Sequence, residues 1–233
     1  MFEACKSGKA KIVQLLLEHS KTTELNTRDL IIELNARHSG GWTAFMFACS
    51  RGHKDVVKLL LDHSESNNEL NAKDKYGGTA FMSACRNGHK DVVKLLLDHS
   101  ERIDLNARSN NGGRAFIRAC INGHKDVVKL LLDNSERIEL NARSHMGGFT
   151  AFMSACIFGN NDVVKVFLDH SEKINLNAIV DHGRTAFMIS CICGHKDVVK
   201  LLLDHSERID LSARDDYGRT AFMLTCEYGH NDV

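Results

Sequence analysis

The stretch GHKDVVKLLLDHS occupies residues 52–64 and returns without change at residues 88–100 and 194–206. A fourth copy, at residues 123–135, differs only by Asn134, which replaces the second histidine. The dipeptide Ala-Phe precedes each copy by the same distance, and successive Ala-Phe dipeptides lie 35 or 36 residues apart. Self-similarity at a fixed period of this length is typical of repeat architectures, so the chain is predicted to be an array of similar units.

Each unit is predicted to contain two helices. Thr43 is placed to cap the first helix with its hydroxyl, and Gly52 to end that helix with a positive φ. Asp55 falls in the first turn of the second helix, where the helix dipole stabilises its charge, and this helix is expected to end near Asp-His-Ser. Its valines and leucines cover too broad a face for one helix pair, so neighbouring units are expected to stack on both sides.

The composition argues against several functional classes. The 233 residues include 30 acidic and 30 basic side chains, so no net charge favours binding to nucleic acid or to an anionic membrane. The apolar runs are too short to span a bilayer. The N-terminal sequence MFEACKSGKAKIV lacks the apolar core that a secretory signal needs.

Most of the eight cysteines occupy the same place in successive units. The series comprises Cys5, Cys49, Cys85, Cys120, Cys156, Cys191 and Cys226. A cysteine copied into every unit is most simply a small buried apolar residue, which predicts a reducing, intracellular setting, cytoplasmic rather than secreted. Cys193 alone lies outside the series, and we expect it to be an exposed thiol.

The Gly-His, Val-Val and Leu-Leu-Leu spacing, followed by Leu-Asn-Ala and a glycine turn, resembles the ankyrin repeat over essentially the whole chain. The resemblance implies an all-α fold class, an ankyrin-type α-solenoid of stacked antiparallel helix pairs with β-turn fingers projecting to one side. The unit departs from the family because Thr-Pro-Leu-His becomes Thr-Ala-Phe-Met, as at residues 43–46, and because its period exceeds the usual length of about 33 residues. It is similar in this to ankyrin arrays of large amoeba-infecting DNA viruses, which would place it in the host cytoplasm.

We expect a single array over residues 1–233. The predicted full repeats are residues 37–72, 73–107, 108–142, 143–178 and 179–213, between a partial first repeat at 1–36 and a truncated last repeat at 214–233. Extra residues are expected in loops, namely within residues 65–70, within residues 143–149 and in an enlarged loop around residues 23–31. Both ends fall inside a repeat, which indicates a fragment of a longer array or a loosely held last half-repeat.

The repeated histidines offer material for a metal or acid–base site, but their spacing argues against one. His53 and His63 lie ten residues apart, whereas residues three or four apart share a helix face. Across units, the second histidines would form a ladder on helices about 8–10 Å apart, too far for one zinc ion with bonds of about 2 Å. The ladder is His63, His99, His170 and His205. Solvated or capping histidines are the alternative, and we predict no metal, no cofactor and no catalysis.

Basic residues follow Leu-Asn-Ala in most units, and Leu-Ser-Ala in the last, namely Arg37, Lys73, Arg108, Arg143 and Arg214. Such a ladder could meet phosphates or an acidic peptide. Neighbouring acidic residues, among them Asp74, Asp215 and Asp216, instead favour a solvated edge whose charges balance locally.

Residues that vary between units are the candidates for function, since those that repeat are expected to hold the scaffold. They fall at the end of each first helix and at the fingertips, which the family resemblance implies form a concave binding face. The predicted protein-binding residues are Trp42, Tyr76, Arg86, Ile121, Phe149, Ile157, Phe158, Ile192, Tyr217 and Tyr228.

The apolar helix-end residues suggest where a partner binds. Ile121, Ile157, Phe158 and Ile192 are expected to lie side by side, with packing between units as the alternative for the isoleucines. Phe158 stands where other units have arginine, asparagine, cysteine or tyrosine, and an exposed apolar group there suits a binding hot spot. We hypothesise a monomeric, non-catalytic scaffold or adaptor for an unidentified partner protein, with no nucleic-acid or membrane partner. The alternative is a structural spacer module of a larger protein.

Overall fold

A computed structural model describes residues 1–22, 36–64, 67–144 and 147–230. Within these ranges the regular structure is helical, apart from a β-bridge between Val180 and Arg184. The residues group into two compact units, Met1–Asn110 and Asn111–Val233. The enlarged loop predicted around residues 23–31 lies outside the described residues.

In the first unit each first or second helix packs on the helix of the same kind in the neighbouring repeat. First helices of the repeats pack on first helices, as α1 does on α3 and α3 on α6, and second helices pack on second helices, as α2 does on α4 and α4 on α7. The helices are α1 (Phe2–Lys6), α2 (Ala10–Thr22), α3 (Ala44–Arg51), α4 (Lys54–His63), α5 (Asn67–Leu70), α6 (Ala80–Arg86) and α7 (Lys90–Asp98). The short α5 lies within the segment where an extra residue was expected.

The second unit repeats this arrangement. Its first helices α8, α10, α12 and α14 pack in succession, as do its second helices α9, α11 and α13. The helices are α8 (Ala115–Ile121), α9 (Lys125–Asp133), α10 (Ala151–Ile157), α11 (Asn161–Asp169), α12 (Ala186–Ile192), α13 (Lys196–Leu203) and α14 (Ala221–Glu227). Two 3₁₀ turns, Ser171–Lys173 and Asp181–Gly183, lie between them. Each second helix of the repeats in this unit follows a first helix directly, as the sequence predicts.

The helix ends carry the predicted caps. The Thr43 hydroxyl accepts a hydrogen bond from the Met46 amide at 3.2 Å, and Gly52 ends α3 with a φ of 75°. The same threonine cap recurs at Thr79, Thr150, Thr185 and Thr220. Arg114 precedes α8 without a side-chain cap and instead forms an ion pair with Glu139 at 2.8 Å while almost wholly buried.

The core of the second unit contains a cluster of three aromatic rings, one of which belongs to the second helix α11. Phe167 replaces a leucine of the repeated stretch and is wholly buried. Its ring meets the edges of Phe116 and Phe152, with centroids 5.7 and 5.5 Å apart. Edge-to-face pairs of this kind contribute about 0.5–1.5 kcal/mol beyond the buried area, so α8, α10 and α11 are held firmly together.

The cysteine series is buried as predicted, with one exception. Cys193 is exposed as expected, and burial raises the pKa of Cys156 to about 12, which keeps that thiol protonated and inert. The prediction is wrong for Cys226, which is exposed. The reason is its position in α14, which packs on α12 while Phe222 and Met223 on the same short helix also remain exposed.

Candidate functional site

The first histidine of the repeated stretch joins one repeat to the preceding one. Nε2 of His89 lies 2.8 Å from the carbonyl oxygen of Ser50, and Nε2 of His195 lies 2.7 Å from that of Ile157. Since a carbonyl oxygen only accepts, Nε2 carries the proton and donates it. The same contact recurs at His53 and His230, and in the GNND copy the amide of Asn160 donates to the carbonyl oxygens of Cys120 and Ile121.

The glycine of the repeated stretch makes room for that histidine. Gly159 has a φ of 65°, and a Cβ added there would lie 2.8 Å from Nδ1 of His195. At Gly194 the corresponding distance to the His230 ring is 2.6 Å. Only glycine combines this backbone conformation with so close an approach. We call each such contact a Gly–His junction: the glycine of one repeat, the histidine of the next and the hydrogen bond to the carbonyl.

The second histidine of the stretch caps its own helix. Nδ1 of His63 lies 2.8 Å from the carbonyl oxygen of Leu59, and His99, His170 and His205 make the equivalent bond at 2.8–2.9 Å. Asn134 replaces the ring with its side-chain amide, which donates to Leu130 at 2.9 Å. These histidines therefore bond to carbonyl oxygens near the ends of their own helices, which was the capping alternative. No cluster of three or more histidine, cysteine or acidic side chains that could hold a metal ion occurs in the part of the chain that the structure describes.

The basic ladder forms hydrogen bonds between neighbouring repeats, a role that the sequence analysis did not predict. Arg37 donates to the carbonyl oxygen of Lys73 at 2.7 Å, Lys73 to that of Arg108 at 3.1 Å, and Arg143 to that of Ile179 at 2.6 Å. Each bond reaches the equivalent residue of the next repeat. The sequence signal for this contact is that a basic residue recurs at the same position in successive repeats. The acceptor is a backbone carbonyl, which every residue has, so the sequence does not identify it.

The three candidates in the first unit lie in different local settings. Trp42 is half-buried against Phe47, with ring centroids 5.1 Å apart. Tyr76 is 64% exposed at a fingertip, and Nζ of Lys75 lies 4.9 Å from its ring centroid. Arg86 is exposed at the end of α6. The ring contacts of Trp42 and Tyr76 are with residues of their own repeat, and we keep both as candidate side contacts.

Three of the candidates in the second unit meet in one groove of about 430 Å³. Phe149, Ile157 and Ile192 line it together with residues that the sequence analysis did not single out. The full lining is Gly147, Phe149, Ile157, Val180, Asp181, His182, Arg184, Ile189, Ile192 and Cys193. We call this the fifth-repeat groove, because most of its lining comes from residues 179–213, which form the fifth repeat when residues 37–72 are counted as the first and residues 214–233 as the sixth. Its volume and its mixture of apolar and a few polar groups suit a ligand-binding site.

The remaining candidates of the second unit lie outside that lining. Phe158 is 54% exposed beside the groove residue Ile157, whereas Ile121 is half-buried and belongs to α8. Of the four residues expected side by side, the lining therefore contains only Ile157 and Ile192. Tyr217 and Tyr228 are exposed, and the Tyr217 ring lies 6.2 Å from that of the groove residue His182.

The lining residues that sequence reasoning missed include Val180, Ile189 and Arg184. Val180 occupies a fingertip position where the other repeats carry histidine, serine or aspartate. Ile189 occupies the middle of a first helix, where the repeats on either side differ from it. Both replacements can be identified by aligning the repeats. The groove could not be predicted in this way, because it depends on the fingertip and the helix lying together in the folded chain.

Comparison with known proteins agrees with the repeat structure. A family model described as ankyrin repeats (3 copies) matches residues 1–109, 101–179 and 173–233. Among solved structures, the ankyrin repeat domain of Bcl-3, described as a unique member of the IkappaB protein family, is similar in fold. It has a TM-score of 0.78 and 23% sequence identity, over 96% of this chain and 92% of that chain. No curated protein matches by sequence.

These findings confirm the predicted family and the all-α fold class. Ankyrin repeats are generally non-enzymatic modules of protein–protein interaction. No helix in the described ranges is both long and apolar enough to cross a membrane. Because the family model matches along the whole sequence, the chain belongs to the ankyrin-repeat family.

Proposed function

We propose that this chain is a non-catalytic scaffold or adaptor that binds a partner protein through the fifth-repeat groove and the neighbouring fingertips. The observation that carries the proposal is the groove itself, where Phe149, Ile157, Val180, Ile189 and Ile192 meet in one concave surface. Phe149, Ile157 and Ile192 are only half-buried there, and apolar surface that stays open to water is stabilised when a partner covers it.

The exposure of the variable residues supports an adaptor over a spacer. Phe158 is 54% exposed and Tyr217 68% exposed, and Ile157 and Ile192 are half-buried rather than packed away between helices. A module that only spaces other domains needs no large apolar side chain in these places. Aromatic residues beside an apolar depression are the usual anchors of protein interfaces.

We further propose that the protein acts as a monomer inside the cell, with cytoplasm as the expected compartment. All eight cysteines are free thiols, and six are buried where neighbouring helices pack. Buried thiols in a repeated structural position fit a reducing environment.

Affinity capture from a cell lysate tests the proposal. The wild-type chain and the double variant Ile157→Ser/Phe158→Ala are immobilised in equal folded amounts, and retained proteins are quantified by mass spectrometry. We expect a set of proteins retained by the wild type and lost with the double variant. If the two retain the same proteins in the same amounts, the binding surface lies elsewhere, and if neither retains any, the spacer alternative is favoured.

A further inference from the structure

Two arginines occupy the same position in consecutive repeats, immediately before the capping threonine. Arg219 of the sixth repeat is held by two carboxylates. Its Nε and Nη2 donate to Oδ2 of Asp215 at 2.9 and 2.8 Å, and its Nη1 donates to Oε2 of Glu227 at 2.8 Å. This position is therefore one at which the fold pairs an arginine with acidic groups.

The carboxylate of Asp215 is built into the sixth finger. Asp215 is only 5% exposed, and its Oδ1 accepts the amides of Tyr217 and Arg219 at 3.0 and 2.9 Å. Burial alone raises its pKa, but the hydrogen bonds and charge of Arg219 outweigh burial and lower the pKa below its usual value. The finger thus stabilises an ionised carboxylate beside the arginine.

In the fifth repeat both carboxylates are replaced by apolar residues. Val180 stands at the position of Asp215 and is buried to the same extent, at 6% exposed, and Ile192 stands at the position of Glu227. Arg184 is the equivalent of Arg219, and its Nε is buried without a hydrogen-bond partner. Among the described residues Arg184 forms no ion pair, although Asp181 lines the same groove.

Arg184 is thus a cation set among apolar residues without the partners that its counterpart has. A half-buried guanidinium is stabilised when a carboxylate supplies paired, charge-assisted hydrogen bonds. The half-buried side chains of Phe149, Ile157 and Ile192 in the same lining can accept apolar groups of a ligand. The two features lie in one lining, so one ligand segment can satisfy both.

We propose that the fifth-repeat groove binds an acidic segment of the partner protein, in which a glutamate pairs with Arg184 and a flanking leucine-like side chain fills the groove. The inference rests on the proposed function and names the chemistry of its partner. In this arrangement the partner supplies in trans the acidic group that Asp215 and Glu227 supply to Arg219 within the chain.

Three blocked peptides of matched length test the proposal. They are Ser-Leu-Glu-Leu-Ser and its variants with glutamine or lysine in the middle, acetylated and amidated so that the termini carry no charge. Binding is measured from the NMR shifts of the isoleucine methyl groups in the wild-type chain, at the millimolar concentrations that short ligands require. We expect the glutamate peptide to shift Ile157, Ile189 and Ile192 and to bind about five-fold more tightly than the glutamine peptide, with the lysine peptide weakest.

Two variants connect the preference to the guanidinium. Arg184→Gln is expected to abolish the preference for glutamate over glutamine, whereas the matched change Arg219→Gln leaves it intact. The double variant Val180→Asp/Ile192→Glu rebuilds the carboxylates of the sixth repeat, and it is expected to lose the preference because Arg184 is then paired within the chain. Equal binding of glutamate and glutamine peptides to the wild type, or a preference that survives Arg184→Gln, would overturn the proposal, as would the absence of any groove shift.

Failure of this inference is distinguishable from failure of the proposed function. If lysate proteins are lost with Ile157→Ser/Phe158→Ala but retained in full by Arg184→Gln, the adaptor proposal stands and the acidic partner is excluded. If capture is unaffected by both, the groove itself is not the binding surface.

Discussion

The Gly–His junctions and the fifth-repeat groove use the same place in the repeat in different ways. Ile157 belongs to both, since its carbonyl oxygen accepts the bond from His195 at 2.7 Å while its side chain lines the groove. The junction uses only the backbone of the second residue before the glycine, so the side chain there is free to differ between repeats. Stacking and recognition are thereby separated at a single residue.

The largest effect is expected from breaking a junction at its glycine. Gly159→Ala places a Cβ against the His195 ring and strains a left-handed backbone, so we expect the free energy of unfolding to fall by about 3 kcal/mol. Urea unfolding followed by circular dichroism measures the change.

Gly218→Ala is the matched control for that substitution. Gly218 has a φ of 76°, but an added Cβ would meet no atom within 4 Å. Only the backbone strain remains, so we expect a loss of about 1 kcal/mol. Equal losses for the two variants would show that the close approach of the histidine contributes nothing.

A smaller effect is expected from changing the histidine of the same junction. His195→Ala leaves the Ile157 carbonyl without its donor, and we expect a loss of about 1.5 kcal/mol in the free energy of unfolding. His195→Asn is expected to lose less than about 0.5 kcal/mol, because Asn160 already makes the equivalent bonds in the preceding repeat. Thermal unfolding of both variants tests this, and an asparagine variant as unstable as the alanine variant would contradict it.

A substitution beside the fifth-repeat groove is expected to change the free energy of unfolding much less than a substitution at a junction. Phe158 is 54% exposed and follows α10, so Phe158→Ala is expected to alter the free energy of unfolding by less than about 0.5 kcal/mol. The same urea titration measures it. A loss comparable to that of His195→Ala would mean that Phe158 serves the scaffold.

The smallest perturbation is chemical labelling of thiols, which leaves the fold in place. Iodoacetamide is expected to modify Cys193 and Cys226 in the folded protein, whereas Cys156 reacts only after unfolding. Although Cys193 is exposed, partial desolvation of its thiol raises its pKa above the usual value, so its labelling rate should increase as the pH rises. Mass spectrometry of labelled peptides checks both points, and labelling of Cys156 before Cys193 would contradict the assigned burial.

Much of the fold was predictable because it depends on local chemistry that recurs. Thr43 and Gly52 carry cap signals that any helix of this kind would show, and the period fixed where each helix lies. Cys226 was mispredicted because burial depends on what packs against α14, and no pattern within the repeat records that.

The candidate site was predictable only in part. Phe149, Ile157 and Ile192 stood out because they vary between repeats, and the structure brings them into one groove. Arg184 did not stand out. It differs from Arg219 because the acidic residues that pair with Arg219 are replaced by Val180, four residues before Arg184, and by Ile192, eight residues after it. Only the hydrogen bonds of Arg219 to Asp215 and Glu227 show that side chains at these two positions pair with the arginine.

The most direct test of the separation between stacking and recognition is quantitative capture of lysate proteins by Ile157→Ser/Phe158→Ala and by His195→Asn, each compared with the wild type at equal folded concentration. The account predicts that the first variant loses the captured proteins while remaining folded, and that the second retains them. Full capture by the first variant, or loss of capture by a folded His195→Asn chain, would contradict it.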